Sequence, residues 1–236
     1  MKVDWVHTPM YNTVMSVAAG VGLLLLVALG KNLYSRTRFS AEGYSLAFGA
    51  LGAILFLMGL HMSLTWPLAR IAPFDNIMFG ETSVAFGAML LAASFYLWRR
   101  GPALELAGTP EGGETPDDSA EHVRRLVMPI SLFAAGMGLA CFAIAAAGWN
   151  FTLWAAPPQE PISGQFANHP LLEATFISLL YVGVGSGAVL LPVALQTRRK
   201  EVAFLIGLAW TLAGLGFTIF GALNFYTHTG LIIHTS

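Results

Sequence analysis

The chain has 236 residues, of which 56% are hydrophobic and only 11% are charged. A soluble domain carries about 25% charged residues, so this composition excludes an ordinary water-soluble globule and predicts contact with a lipid bilayer. The net charge of -1 gives no reason to expect a nucleic-acid partner. A single cysteine, Cys141, excludes an internal disulfide and a thiolate metal cluster.

Six apolar stretches are long enough to be membrane-spanning helices, which need about 20 residues each. In chain order they cover residues 14–29, 44–66, 77–98, 126–148, 171–196 and 202–225. We therefore predict an all-α fold, a polytopic membrane bundle of six transmembrane helices.

Basic residues gather in alternate loops of this predicted bundle. The loops after the first, third and fifth helices hold nearly all of them, namely Lys31, Arg36, Arg38, Arg99, Arg100, Arg124, Arg125, Arg198, Arg199 and Lys200. Because positively charged loops face the cytoplasm, we predict a multi-pass plasma-membrane protein with both termini outside.

A polar segment and a repeated motif divide the chain. Residues 105–121, ELAGTPEGGETPDDSAE, are acidic and rich in Gly and Pro, which is typical of a flexible linker. We predict a cytoplasmic linker over residues 101–125 between two three-helix halves, 1–100 and 126–236. The octets FDNIMFGE and FANHPLLE share the pattern F-x-N-x-x-x-x-E, which favours an internal duplication that relates the halves.

Each octet predicts a helix start followed by a carboxylate. Asn76 and Asn168 suit the N-cap position of the third and fifth helices, and Pro170 suits a first-turn position. Glu81 and Glu173 then follow about one and a half turns inside, roughly 7 Å below the membrane surface. A carboxylate at that depth is costly and is a candidate for a functional site.

Other polar residues are predicted at the same end of the bundle. His61 lies at a similar depth in the second helix, and Asn224 and His228 lie near the end of the sixth. We predict that Glu81, Glu173 and His61 share an interior site that His228 and Asn224 close. As a metal site, its ligands are His61, Glu81, Glu173 and His228, and the metal is copper or iron. Alternatively, His61, His228 and Asn224 bind a haem.

Three segments of the chain resemble a known family. MYNTVMSVAAG, GLHMSLTWPL and FDNIMFGETSVAFGAMLLAASFYLW resemble the bacterial and archaeal membrane proteins of the domain-of-unknown-function 981 family. The resemblance extends from Met10 to the last helix and is most specific over residues 59–98. It implies a small multi-pass membrane protein, and it implies no activity, substrate or cofactor.

Three functions stay open at this stage. The first is a redox or metal protein that acts on a small molecule or relays electrons to it, although neither E-x-x-H nor H-x-x-x-H occurs. The second is a proton- or cation-coupled transporter that uses Glu81 and Glu173, although no further charge continues a polar path across the membrane. The third is an accessory or structural subunit that binds other membrane subunits or a second copy of itself. Whether the protein is an enzyme also stays open.

Overall fold

The computed structural model describes residues 12–35, 37–65, 73–107 and 116–235, and these form six long α-helices. The helices are α1 (Asn12–Ser35), α2 (Ala41–Thr65), α3 (Pro73–Ala107), α4 (Pro116–Phe151), α5 (Pro170–Thr197) and α6 (Lys200–Thr235). Each is long and apolar enough to cross a membrane. The predicted all-α bundle of six membrane-spanning helices is confirmed.

Several helices extend beyond the apolar stretches that predicted them. α3 continues to Ala107 and α4 begins at Pro116, so both enter the predicted linker, whose residues 108–115 lie outside the described part of the chain. Ala, Leu and Glu in the segment ALELA are strong helix formers, and proline suits the first position of a helix. The assignment of residues 1–100 and 126–236 to related halves stays a prediction.

The helices pack mainly as three close pairs, α2 with α3, α4 with α5, and α1 with α6. α5 also packs on α6, whereas α3 and α4 touch only slightly. Among the described residues, a large cluster of buried side chains lies between α1, α2 and α3 and includes Phe48, Leu55 and Leu90. Large apolar side chains such as Leu57 and Ile219 lie exposed on outer helix faces, which suits a lipid environment.

Glycines allow the α2–α3 pair to approach closely. A Cβ atom added to Gly87 would lie 2.5 Å from the Phe56 nitrogen and 2.8 Å from the Gly52 oxygen. Both atoms belong to the backbone, so no side-chain rotation relieves the clash. Small residues at such contacts are a common way for membrane helices to pack.

We expect Gly87→Ala to destabilise the protein by about 1–3 kcal/mol, because the added methyl group overpacks a rigid backbone contact. The matched control is Gly136→Ala in α4, where an added Cβ meets nothing within 4 Å. That change should be neutral or slightly stabilising, because alanine has the higher helix propensity. Thermal unfolding of both variants in detergent measures the difference, and equal melting temperatures would contradict the described α2–α3 contact.

The predicted N-caps are wrong. α3 begins at Pro73, so Asn76 lies within its first turn, and α5 begins at Pro170, so Asn168 precedes the helix by two residues. His169 occupies the N-cap position of α5 without a side-chain capping bond. The prediction of Pro170 in the first turn is confirmed. The fixed φ of proline sets the start of both helices, and this preference outweighs that of the asparagines for the cap.

This correction changes the relation between the two octets. Glu81 follows the start of α3 by about 12 Å, whereas Glu173 follows the start of α5 by about 4.5 Å, at 1.5 Å per residue. The octets therefore do not occupy equivalent positions in their helices, although their sequence spacing is the same.

Candidate functional site

The α4–α5 loop folds over the C-terminal end of α6. Pro161 of the loop lies so close to Gly230 that a Cβ atom added there would be 2.3 Å from Pro161 Cγ. His234 Nδ1 also lies 2.9 Å from the backbone oxygen of Gln159. These two contacts flank Glu160, which is only 9% exposed. A loop carboxyl is thereby held against a membrane-spanning helix.

The turn that follows Glu160 is tight. Ile162 has a positive φ of 68°, and a Cβ added to Gly164 would lie 2.7 Å from the Pro158 oxygen. A short 3-10 helix, Ser163–Phe166, then leads towards α5. The positive φ at Ile162 and the close packing at Gly164 restrict which residues fit this turn. The position of Glu160 therefore depends on the local sequence as well as on the contacts of the loop with α6.

Four polar residues come together where the loop, α5 and α6 meet, and a fifth, Asn224, lies on the same face of α6 as two of them. We call this group the carboxyl–histidine pocket, and its members are Glu160, Glu173, Asn224, Thr227 and His228. Glu160 Oε1 lies 4.0 Å from His228 Nε2, and Glu173 lies near enough to Glu160 for their charges to interact. The three α6 residues are spaced three and four apart, so they lie on one face of that helix.

Several polar atoms of the pocket are buried without a hydrogen bond. Among the described residues, no partner is found for Glu173 Oε2, Asn224 Nδ2, Thr227 Oγ1 or His228 Nδ1. Asn224 and Thr227 are each only 3% exposed, and the Thr227 hydroxyl lies beside Glu160 without the geometry of a formed bond. Since buried polar groups in proteins are nearly always paired, this arrangement suits a proton, water molecules or a small cation.

The surroundings of Glu160 favour its neutral form. Burial raises the pKa of Glu160 above its ordinary value of 4.5, and the Thr227 hydroxyl partly opposes this effect. The folded protein therefore holds the Glu160 proton more tightly than the unfolded chain does.

We expect the folded protein to become less stable as the pH rises from 4.5. The contribution of Glu160 is fully present below that value and is lost as the pH rises through the raised pKa, at about 1.4 kcal/mol per pKa unit. Glu160→Gln should flatten the pH dependence of the melting temperature, and the residual slope reports Glu173 and His228, which face it. Glu42→Gln, at an exposed position in the first turn of α2, should leave the slope as it is. A slope that survives unchanged in Glu160→Gln contradicts the prediction.

An aromatic cluster ties α3 to the α4–α5 loop and to α5. Trp154 Nε1 donates to Asp75 Oδ1 at 2.9 Å, and the Trp154 ring stacks on Tyr181 with 6.2 Å between ring centroids. The Tyr181 hydroxyl donates to the backbone oxygen of Met78 at 3.2 Å. Phe79 also stacks on Tyr181. This cluster fixes the start of α3 against the second half of the chain.

The structure brings together only some of the predicted site residues. Glu173, Asn224 and His228 belong to the carboxyl–histidine pocket, whereas His61 of α2 and Glu81 of α3 have exposed side chains. Within the described ranges, no group of three or more His, Cys, Asp or Glu is placed to hold a metal ion. The metal and haem sites therefore stay predictions.

Sequence reasoning missed Glu160 and Thr227. The one available signal was a single carboxylate, Glu160, in the Pro-rich loop segment WAAPPQEPISG between two apolar helices. Nothing in the sequence showed that this loop would turn back onto α6, because that contact joins residues far apart in the chain.

Comparison with known proteins identifies the family. The profile of the family described as "Protein of unknown function (DUF981)" matches residues 9–230, so the chain belongs to that family. No curated protein and no solved structure matches the chain.

Proposed function

We propose that this DUF981 member is an integral membrane protein that binds a proton at the carboxyl–histidine pocket, and that it belongs to the class of proton-coupled transporters. The observation that carries the proposal is that the buried Glu160 lies 4.0 Å from His228 and near Glu173, one of whose carboxyl oxygens is also buried. Ionisable groups within membrane helices are costly, and they commonly serve proton relays and ion pathways.

The chemistry of the pair explains why a proton suits it. Two neighbouring carboxylates repel each other in a medium of low dielectric constant, so both cannot be ionised unless a cation lies between them. The described residues place no Lys or Arg in an ion pair with Glu160 or Glu173. A proton shared by the pair removes the repulsion, and His228, 4.0 Å from Glu160, can receive or return it.

The distribution of basic residues indicates which side of the membrane the pocket faces. The positive-inside rule supports placing the basic loops in the cytoplasm and both termini outside the plasma membrane. The α4–α5 loop and the end of α6 are at the opposite end from those loops, so we propose that the pocket takes its proton from the outer side.

A metal-binding redox function remains the second candidate. One observation favours it: Glu160 lies 4.0 Å from His228 and near Glu173, and His228 and Glu173 are two of the four predicted ligands. Carboxylate and imidazole ligands suit iron or copper. His61 and Glu81, the other two predicted ligands, have exposed side chains on α2 and α3. No three His, Cys, Asp or Glu residues in the described part of the chain are placed to hold a metal ion, which makes this the weaker candidate.

Carbodiimide labelling tests the proposed proton site. Dicyclohexylcarbodiimide adds to a protonated carboxyl group in apolar surroundings and leaves a stable N-acylurea that mass spectrometry can locate. We expect labelling of Glu160 or Glu173 at neutral pH, with loss of labelling as the pH rises. Glu81 is the matched control, because it is an exposed glutamate in a membrane-spanning helix. Equal labelling of Glu81 and the pocket, or none in the pocket, contradicts the proposal.

The same assay separates the two candidates. Two results together would support the metal function. Copper or iron ions would protect the pocket from carbodiimide labelling, and metal would remain bound through purification of the wild-type protein but not of Glu160→Gln or Glu173→Gln. Labelling that depends on pH and is unaffected by these ions would support proton binding.

A further inference from the structure

A large cavity occupies the middle of the bundle, away from the carboxyl–histidine pocket. Its volume is about 2160 Å³, and its walls come from α1, α3, α4, α5 and α6. The middle of the cavity is apolar, with Leu90, Met137, Cys141, Ile206 and Phe217 among its walls. Pockets for drug-sized ligands measure about 300–1,000 Å³, so this cavity has room for a much larger apolar molecule.

One end of this cavity is strongly basic. Six cationic side chains line it, namely Lys31, Arg38, Arg124, Arg198, Arg199 and Lys200. Among the described residues that line the cavity, Glu105 is the one acidic residue. Its carboxylate already accepts a hydrogen bond from the backbone amide of Ala41. We call this region the basic mouth.

The charge of the basic mouth is only partly neutralised. Glu121 pairs with Arg124 and Arg198, each at 2.6 Å. Lys31, Arg38, Arg199 and Lys200 make no ion pair with another described residue, and they lie on α1, on the loop that follows it and at the α5–α6 turn. Among the residues that the structure describes, these four cations at the entrance of an apolar space have no ion-pair partner.

We propose that the cavity binds an anionic phospholipid, with its phosphate at the basic mouth and its acyl chains among the apolar walls. Arg and Lys are the usual partners of phosphate oxygens. A lipid that enters the cavity from the bilayer gains little free energy from its acyl chains, because lipid tails are already in apolar surroundings. The selectivity must therefore come from the head group.

The dimensions and the packing fit this ligand. Along α6 the cavity lining extends from Lys200 to Phe220, about 30 Å at 1.5 Å per residue, which is long enough for acyl chains that fill half of a bilayer core of about 30 Å. α3 and α4 touch only slightly, and Tyr96 and Val127, one from each helix, line the cavity. We therefore place the entry of the lipid between these two helices.

Lipid selectivity tests the head-group claim. The full chain, purified in mild detergent, is titrated with fluorescent phosphatidylglycerol and, separately, with fluorescent phosphatidylcholine. We expect tighter binding of phosphatidylglycerol. The double variant Arg199→Gln with Lys200→Gln should weaken that binding by about fivefold per charge, or about 25-fold, on the basis of about 1 kcal/mol per basic residue near anionic lipid. Its control is Arg99→Gln with Arg100→Gln, which removes two exposed charges that do not line the cavity.

A variant with a side chain that fills the cavity tests whether the acyl chains of the lipid lie inside it. Gly207 lines the cavity, and an added Cβ there meets nothing within 4 Å, so Gly207→Phe should place a ring in the cavity without disturbing the backbone. Gly136→Phe is the control, because Gly136 is equally unobstructed and is not part of the lining. We expect loss of phosphatidylglycerol binding in Gly207→Phe alone.

Three results would overturn the proposal. The first is equal binding of the two lipids. The second is unchanged binding in Gly207→Phe, which would place the lipid on the outer surface. The third is displacement of the lipid by inorganic phosphate alone. The last result would show a phosphate site that does not use the apolar cavity. None of these outcomes depends on the carboxyl–histidine pocket, so the two proposals fail separately.

Discussion

Replacing Tyr181 with alanine should lower the free energy of unfolding by about 3–5 kcal/mol, the usual loss for a large buried aromatic side chain. Tyr181 is 4% exposed. Its ring stacks on Trp154 and packs edge-on against Phe217, 5.9 Å between centroids. Its hydroxyl donates a hydrogen bond to the backbone oxygen of Met78 in α3. The substitution therefore removes contacts among α3, the α4–α5 loop and α6 at once.

Two further variants separate the ring from the hydroxyl. Tyr181→Phe keeps the ring and loses one hydrogen bond, so it should cost only about 0.5–1.5 kcal/mol. Trp98→Ala removes an aromatic ring that is 69% exposed and should change stability little. Chemical unfolding in detergent compares the three. A loss in Tyr181→Ala no larger than that in Trp98→Ala contradicts the described cluster.

The second large effect concerns the contact that holds the loop on α6. Gly230→Leu should displace the α4–α5 loop, because even a Cβ atom would lie 2.3 Å from Pro161 Cγ. Overpacking of this kind costs about 1–3 kcal/mol. Displacement exposes Glu160 to water, so the burial that raises its pKa is lost and the decline of stability from pH 4.5 upward should flatten.

The control for this variant is Gly136→Leu, which adds the same side chain where an added Cβ meets no atom within 4 Å. It should keep the pH dependence of the wild-type protein. If Gly230→Leu is destabilised but its pH dependence is unchanged, the loop does not control the environment of Glu160, and the described pocket is wrong in that respect.

The six helices could be predicted from the sequence because the requirement for them is local. Inside lipid, every backbone polar group must be paired within its own segment, so apolar runs of sufficient length indicate helices. The helix ends lie in polar surroundings, where several start signals compete. At Pro73 and Pro170 the proline sets the start, and prediction from Asn76 and Asn168 failed for that reason.

The site could be predicted only in part, because burial depends on helix rotation and on distant contacts. Gly80 faces α2, where an added Cβ would lie 2.8 Å from Met62 Cβ. Glu81 follows it by about 100° around α3 and is exposed. Glu173 and His228 each lie near Glu160, and the shared site predicted from the sequence stays a prediction. Glu160 joined them through a loop fold that no local pattern in the sequence indicates.

Infrared spectroscopy of the carboxyl groups tests the proton-binding proposal most directly. A protonated carboxyl has a carbonyl stretch that an ionised one lacks. At neutral pH we predict this band in the wild-type protein, its reduction or loss in Glu160→Gln and in Glu173→Gln, and its persistence in Glu81→Gln. A band that is absent from the wild-type protein, or that is the same in all three variants, would contradict the claim that the carboxyl–histidine pocket holds a proton.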